Sequence, residues 1–209
     1  MQLVSNSFAD GQPIPGEFAF CVPGDKTRVC LGKNLNPHLS WRDVPADTQS
    51  FVILCHDPDV PSRGDDVNQE DRTVPAALPR VDFFHWVLVD LPAGMREIAA
   101  GEFSSEVTPR GKPGPAARHE ARQGVNDYTG WFAGDGDMMG DYHGYDGPCP
   151  PWNDELPHHY VFTVYALDTA KLMVHGRFNG HDVRSAMHGH ILGQASITGR
   201  YTLNPAVRL

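Results

Sequence analysis

Asp82-Phe83-Phe84-His85-Trp86-Val87-Leu88-Val89-Asp90-Leu91 decides the fold class of this 209-residue chain. The run is aromatic and β-branched, too short for a long helix, and closed by Pro92. Those are the marks of a buried strand. Comparable runs lie on either side. Ser50–His56 (SFVILCH) ends at Asp57-Pro58, and His159–Leu167 (HYVFTVYAL) ends at Asp168. Ile191–Leu203 closes on alternating apolar and polar residues, and Glu17–Val22 is a weaker strand candidate. One segment, Asp182–His190, reads as a helix: Val183, Met187 and Ile191 recur at helical spacing behind Asn179-Gly180. Strands joined by long connections, with one or two short helices, predict a mainly β chain. The expected fold is an antiparallel β-sandwich, taken as a single domain over residues 1–209.

The connections are unusual. Glycine (21) and proline (18) together approach a fifth of the chain. Two segments rich in turn formers stand out, Arg63–Arg80 and Gly101–Pro151. Loops of that length inside a domain commonly serve function. The second also carries Trp131, Phe132, Met138, Met139, Tyr142 and Tyr145, so part of it should pack against the body.

Charge and composition exclude several classes. The 17 basic and 26 acidic residues give a net charge of −9, which repels phosphate backbones and disfavours nucleic-acid binding. No apolar stretch is long enough for a membrane span. The N-terminus, MQLVSNSFADG, has neither the basic nor the apolar region of a secretory signal, so a cytoplasmic location is expected. Cys21, Cys30, Cys55 and Cys149 form no CxxC pair. Cys21 and Cys30 flank PGDKTR and could face each other across a hairpin. Free thiols in a reducing cytosol are the simpler expectation, with Cys55 buried.

Strand periodicity sorts the polar residues. Strict alternation groups Phe83, His85, Val87 and Val89 on one face, with Phe84, Trp86, Leu88 and Asp90 on the other. His158 and Tyr160 project together, roughly 7 Å apart along their strand, a spacing that can grip one small ligand. Asp57 and Asp59 leave the Phe51–His56 strand, framed by Pro58 and Pro61. No GxSxG, HExxH, P-loop or dinucleotide motif is present, and GDGD lacks the register of a calcium loop.

Four segments taken together resemble a known family. They are DPDVPSR (Asp57–Arg63), FHWVLV (Phe84–Val89), GYDGPCPP (Gly144–Pro151) and HHYVF (His158–Phe162). The chain is similar to the phosphatidylethanolamine-binding proteins, or Raf kinase inhibitor-like proteins. QGVNDY (Gln123–Tyr128), HGHILG (His188–Gly193) and TGRY (Thr198–Tyr201) point to the bacterial and archaeal branch. The resemblance implies an antiparallel sandwich with an anion pocket at one rim. Carried over by motif, that pocket uses Asp57, Asp59, Pro61, His85, Gly147, Pro148, Cys149, Pro150, His158 and Tyr160. It implies a small anionic or zwitterionic ligand such as phosphate, acetate or the phosphoethanolamine head group. The histidines, the Tyr160 hydroxyl and loop amides would serve as donors. It implies no catalysis, no metal and no cofactor, with a regulatory or inhibitory role toward an unidentified protein partner and homodimerisation as relatives show. The family pattern is broken where His159 stands in place of an arginine, and in the longer loops. A rival reading is a metal-dependent hydrolase or lyase, because Asp57, Asp59, His85 and His158 are also metal-ligand types.

Overall fold

A computed structural model describes all 209 residues, Met1 to Leu209. The strands are β1 (Gln2–Val4), β2 (Cys21–Pro23), β3 (Val29–Leu31), β4 (Leu39–Arg42) and β5 (Ser50–Pro61), then β6 (Arg80–Pro92), β7 (Glu97–Ile98), β8 (Arg122–Gln123), β9 (His158–Leu167) and β10 (Ile191–Tyr201). Two short helices, α1 (Tyr128–Trp131) and α2 (Gly180–Ala186), complete the inventory with two 3-10 turns. The main sheet runs β10-β9-β5-β6-β8, a second runs β1-β4-β7, and β2-β3 forms a separate ribbon. Every strand pair is antiparallel.

The central strands are apolar throughout because both faces of the main sheet are covered. On one face Phe51, Ile53, Trp86, Leu88, Phe162 and Val164 pack with Leu3, Leu39, Trp41 and Ile98 of the second sheet. On the other, Val52, Leu54, Val87 and Val89 pack with Leu172, Phe178, Val183 and Met187. The long Gly101–Pro151 segment does pack down, as its aromatic content predicts: Tyr128, Tyr142 and Tyr145 are buried.

Several boundaries differ from the sequence reading for identifiable reasons. β5 does not end at Asp57-Pro58. It stays paired with β6 out to Pro61↔Arg80, absorbing Pro58 in a register shift between Asp57 and Val60. The helix is Gly180–Ala186 rather than Asp182–His190. Asn179 caps it, accepting from the amides of His181 and Asp182, while the Asp182 side chain returns a bond to the Asn179 amide. Val183 and Met187 are buried as their spacing predicts. Ile191 belongs to β10 instead, because Gly189 at φ +85° turns the chain out of the helix. Glu17–Val22 is only partly strand, with a 3-10 turn at Gly16–Phe18 before β2.

The strict alternation assigned to β6 also fails, at the position that matters most. Cys55 pairs with Trp86 but His56 pairs with Phe84, which leaves His85 as the extra residue of a bulge. His85 and Trp86 therefore turn toward the same core. The His85 ring packs against Tyr160 and Tyr128 and not with Val87 and Val89.

The expectation of free thiols is corrected too. The Cys21/Cys30 hairpin forms, but Cys21 lies opposite Leu31 and Cys30 opposite Val22. Cys21 is disulfide-bonded to Cys149 across a sequence separation of 128 residues, Cys30 is free and exposed, and Cys55 is free and buried. Linking such distant residues restricts the unfolded chain strongly. Reduction is expected to lower the unfolding free energy by roughly 2–5 kcal/mol. Urea melts with and without a thiol reductant measure this, and superimposable curves would contradict the bridge.

Candidate functional site

β5, β6 and β9 lie side by side, so their ends on one rim bring Asp57, His85, His158 and Tyr160 together. His158 is buried between two carboxylates. Its Nδ1 donates to Asp57 Oδ2 at 2.6 Å and its Nε2 donates to Asp154 Oδ2 at 3.2 Å. Arg80, at the start of β6, holds Asp154 through two bonds of 2.5 and 3.0 Å and also donates to the Asp59 carbonyl at 2.8 Å. Burial alone would lower the pKa of His158. Asp57 and then Asp154 outweigh it and raise the pKa to about 9, so the ring is an imidazolium at neutral pH. Burial would likewise raise Asp154, but its bonds from His158 and Arg80 bring it down to about 2. The formal charges of Asp57, His158, Asp154 and Arg80 cancel.

His85 is held in the opposite state. Its burial pushes the pKa down to about 4, against the pull of Asp57, so the ring is neutral. Nδ1 donates to the Asp146 carbonyl at 2.7 Å, which fixes the tautomer and leaves the lone pair on Nε2. The loop carrying Asp146 is itself tightly bound. The buried Asp146 carboxylate accepts from Asn34 at 2.7 Å, Asn126 at 2.8 Å and Lys112 at 2.9 Å. The Gly147 amide donates to Asn34 Oδ1 and the Tyr128 hydroxyl donates to the Gly147 carbonyl, both at 2.8 Å. The Pro148 carbonyl accepts from the Phe20 and Cys21 amides.

These elements enclose a cavity of about 270 Å³. Of the residues expected from the sequence, Asp57, Pro61, His85, Cys149, Pro150, His158 and Tyr160 line it. Asp59, Gly147 and Pro148 do not. The Asp59 carboxylate turns to His159, accepting from its amide and its ring Nδ1 at 2.8 Å each. Gly147 and Pro148 stand behind the wall and carry the backbone bonds that fix it. His158 lines the cavity without a free N–H, because both ring nitrogens are engaged. Most of the remaining wall is apolar, with Phe20, Phe83, Tyr128, Trp131, Phe132 and Met138 on one side. No group of three or more His, Cys, Asp or Glu side chains is arranged to hold a metal ion.

Sequence reasoning missed Arg80, Asp154, Asn34 and Lys112, and did not assign a role to Asn126 or Asp146. Asn34 meets Asp146 across 112 residues and Arg80 meets Asp154 across 74, so no local pattern links either pair.

An antiparallel sandwich with a buried carboxylate–imidazole pocket at one rim is a recognisable architecture. The match to family models makes it specific: residues 4–202 match the phosphatidylethanolamine-binding protein model, and the chain belongs to that family. It is 33% identical over 202 residues to the UPF0098 protein YbhB of Escherichia coli K12, covering 97% of this chain and 100% of that one. It is 32% identical over 201 residues to a UPF0098 protein of Aquifex aeolicus, covering 96% and 88%. Among solved structures it resembles E. coli YbcL, described as a new member of the mammalian PEBP family. The TM-score is 0.67 at 27% identity, over 96% of this chain and 97% of that one. A second neighbour is the PEBP homologue CT736 of Chlamydia trachomatis, with TM-score 0.63 at 28% identity over 96% and 95%.

Two measurements test the site's construction. A raised His158 pKa contributes stability in full below about 6.5, lost as pH rises through about 9. The parent should therefore lose stability between neutrality and that pH to a degree that His158→Gln does not. The variant should also be destabilised by roughly 3–5 kcal/mol near neutrality, with buried Asp57 left without its cation and Asp154 keeping only Arg80. Parallel stability curves for the two proteins would refute a charged His158. In Gly147→Ala the new Cβ would lie 2.1 Å from the Phe18 carbonyl oxygen. The loop must shift, with an expected loss of roughly 1–3 kcal/mol in a thermal melt.

Proposed function

We propose that the rim cavity binds a small phosphate- or carboxylate-bearing molecule, best a zwitterion such as the phosphoethanolamine head group, and holds it without chemical change. The observation that carries this reading is His85. It is a neutral buried imidazole whose Nδ1–H is committed to Asp146, with its other nitrogen left for a ligand and Tyr160 beside it at 5.0 Å between ring centroids. Burial and then Asp57 hold the Tyr160 hydroxyl well above its ordinary pKa, so it stays a neutral hydroxyl, within reach of Asp57 in the free protein and turned to the ligand on binding. A protonated oxyacid suits this pair: its O–H donates to His85 Nε2, or transfers the proton there, while a second oxygen accepts from Tyr160. Asp57 is paired with the His158 imidazolium, so the wall offers no net positive charge to hold a bare dianion, and a ligand with little net charge, such as a zwitterion, suits it better. The ligand contact expected of His158 passes to His85, which offers an acceptor nitrogen where a donor was expected, and His158 acts by neutralising Asp57.

The metal-dependent alternative gains no support. His158 spends both nitrogens on carboxylates and Asp59 is committed to His159. The family name and the UPF0098 names of its relatives carry no reaction. We read the whole chain as one domain, and any regulatory contact with a protein partner as made through this rim. No helix is long and apolar enough to cross a membrane. The disulfide fits an oxidising compartment better than the reducing cytosol expected from the sequence.

Calorimetry with phosphoethanolamine tests the proposal. Binding should take up about one proton, so affinity should rise by up to roughly a hundredfold between pH 7.5 and pH 5.5. His85→Ala should lose at least about tenfold of that affinity while keeping its fold. Affinity that is flat across this range, or a His85→Ala protein that binds like the parent, would sink the assignment.

A further inference from the structure

The Cys21–Cys149 bond is the one covalent cross-link in the cavity wall, and neither the charge network nor the anchoring of His85 uses it. Cys21 is held in β2, opposite Leu31, and its carbonyl accepts from the Tyr201 hydroxyl at 2.8 Å. Cys149 is held far less. The chain is fixed before it at the Pro148 carbonyl and after it at the Trp152 amide, which donates to Asn68 Oδ1. Between these points no backbone hydrogen bond anchors Cys149 or Pro150, and the prolines at 150 and 151 have no N–H to give. The Pro151 carbonyl accepts from the Asp154 amide at 3.2 Å, so the disulfide is what ties down Cys149 and Pro150, and Cys149, Pro150 and Pro151 all line the cavity.

We propose that Cys21–Cys149 is a redox modification site, reached through the cavity, at which a dithiol reductant opens the bond and loosens the ligand-binding wall. A thiolate of the reductant attacks one sulfur, forming a mixed disulfide and releasing the other cysteine as a thiolate. The reductant's second thiol then attacks the mixed disulfide and frees the first cysteine. Two electrons pass to the protein disulfide, the reductant leaves as its own disulfide, and its two thiol protons end on Cys21 and Cys149. Two non-bonded thiols need more separation than two bonded sulfurs. Cys21 is fixed by its strand, so the movement falls on Cys149–Pro151 and changes the shape of the cavity. Cys30 is no substitute partner, because it is exposed and paired opposite Val22. A ligand in the cavity and a reductant reaching the sulfurs through it exclude each other. Ligand should therefore protect the bond, and reduction should weaken the ligand.

The affinity half of this inference rests on the proposed binding function, since phosphoethanolamine is its probe; the reduction kinetics do not. The experiment follows reduction of the intact chain by dithiothreitol in the cold, with circular dichroism reporting the fold. The expected rate is first order in reductant, about tenfold slower with excess phosphoethanolamine, and the reduced folded protein should bind phosphoethanolamine roughly fivefold more weakly or worse. Cys149→Ser should reproduce the weaker binding, while Cys30→Ser should leave affinity unchanged. A rate independent of reductant concentration means the bond opens only on unfolding, and overturns the inference. Equal affinity of the oxidised and reduced folded forms overturns it as well. Should the oxidised protein not bind phosphoethanolamine at all, the binding proposal falls by itself, and the order of the reaction in reductant decides this one.

Discussion

The rim of this protein depends on one buried cation. The His158 imidazolium lies between the carboxylates of Asp57 and Asp154, and Arg80 completes the set from behind. Charges so deeply buried are tolerated only when paired and hydrogen-bonded on every side. Here the pairing also ties three elements of the rim together: β5 through Asp57, β9 through His158, and the segment before β9 through Asp154. Without the imidazolium, Asp57 would have no cation, and Arg80 alone would remain against the two carboxylates.

That arrangement lets the neighbouring histidine stay neutral. His85 sits against Tyr160, Tyr128 and Phe83, where a second cation would be expensive, and its Nδ1–H is already given to the Asp146 carbonyl. The two histidines thus divide the work by environment. One is charged and spent on structure; the other is neutral with a nitrogen left for a ligand. The division follows from what surrounds each ring and not from residue type.

Bulges make the geometry reachable. β5 and β6 drop out of register at Cys55/His56, and the extra residue is His85, so the bulge re-aims this ring into the rim. A second shift carries β5 past Pro58 and places Val60 and Pro61 along the cavity. Strict alternation cannot anticipate either shift, because a bulge is settled by packing on both strands at once. The loop behind His85 is likewise fixed from far away, by Asn34, Lys112 and Asn126 converging on Asp146.

The sequence by itself determined the strand content, the burial of the apolar central strands, the place of the short helix and the family. These follow from side-chain chemistry repeated at short range: apolar runs, turn residues, and compact motifs such as DPDVPSR and GPCPP. It also placed His158 and Tyr160 on one face, since β9 runs there without a bulge. Only the tertiary structure decided that a bulge aims His85 toward them, that Asp59 turns away to His159, that His158 is bridged by Asp154, and that Cys21 finds Cys149 and not Cys30. Each of those outcomes depends on residues far apart in the chain, or on which strand gives way at a bulge. The free energy that selects them comes from burial and charge pairing in the assembled sheet, which no local stretch of sequence contains.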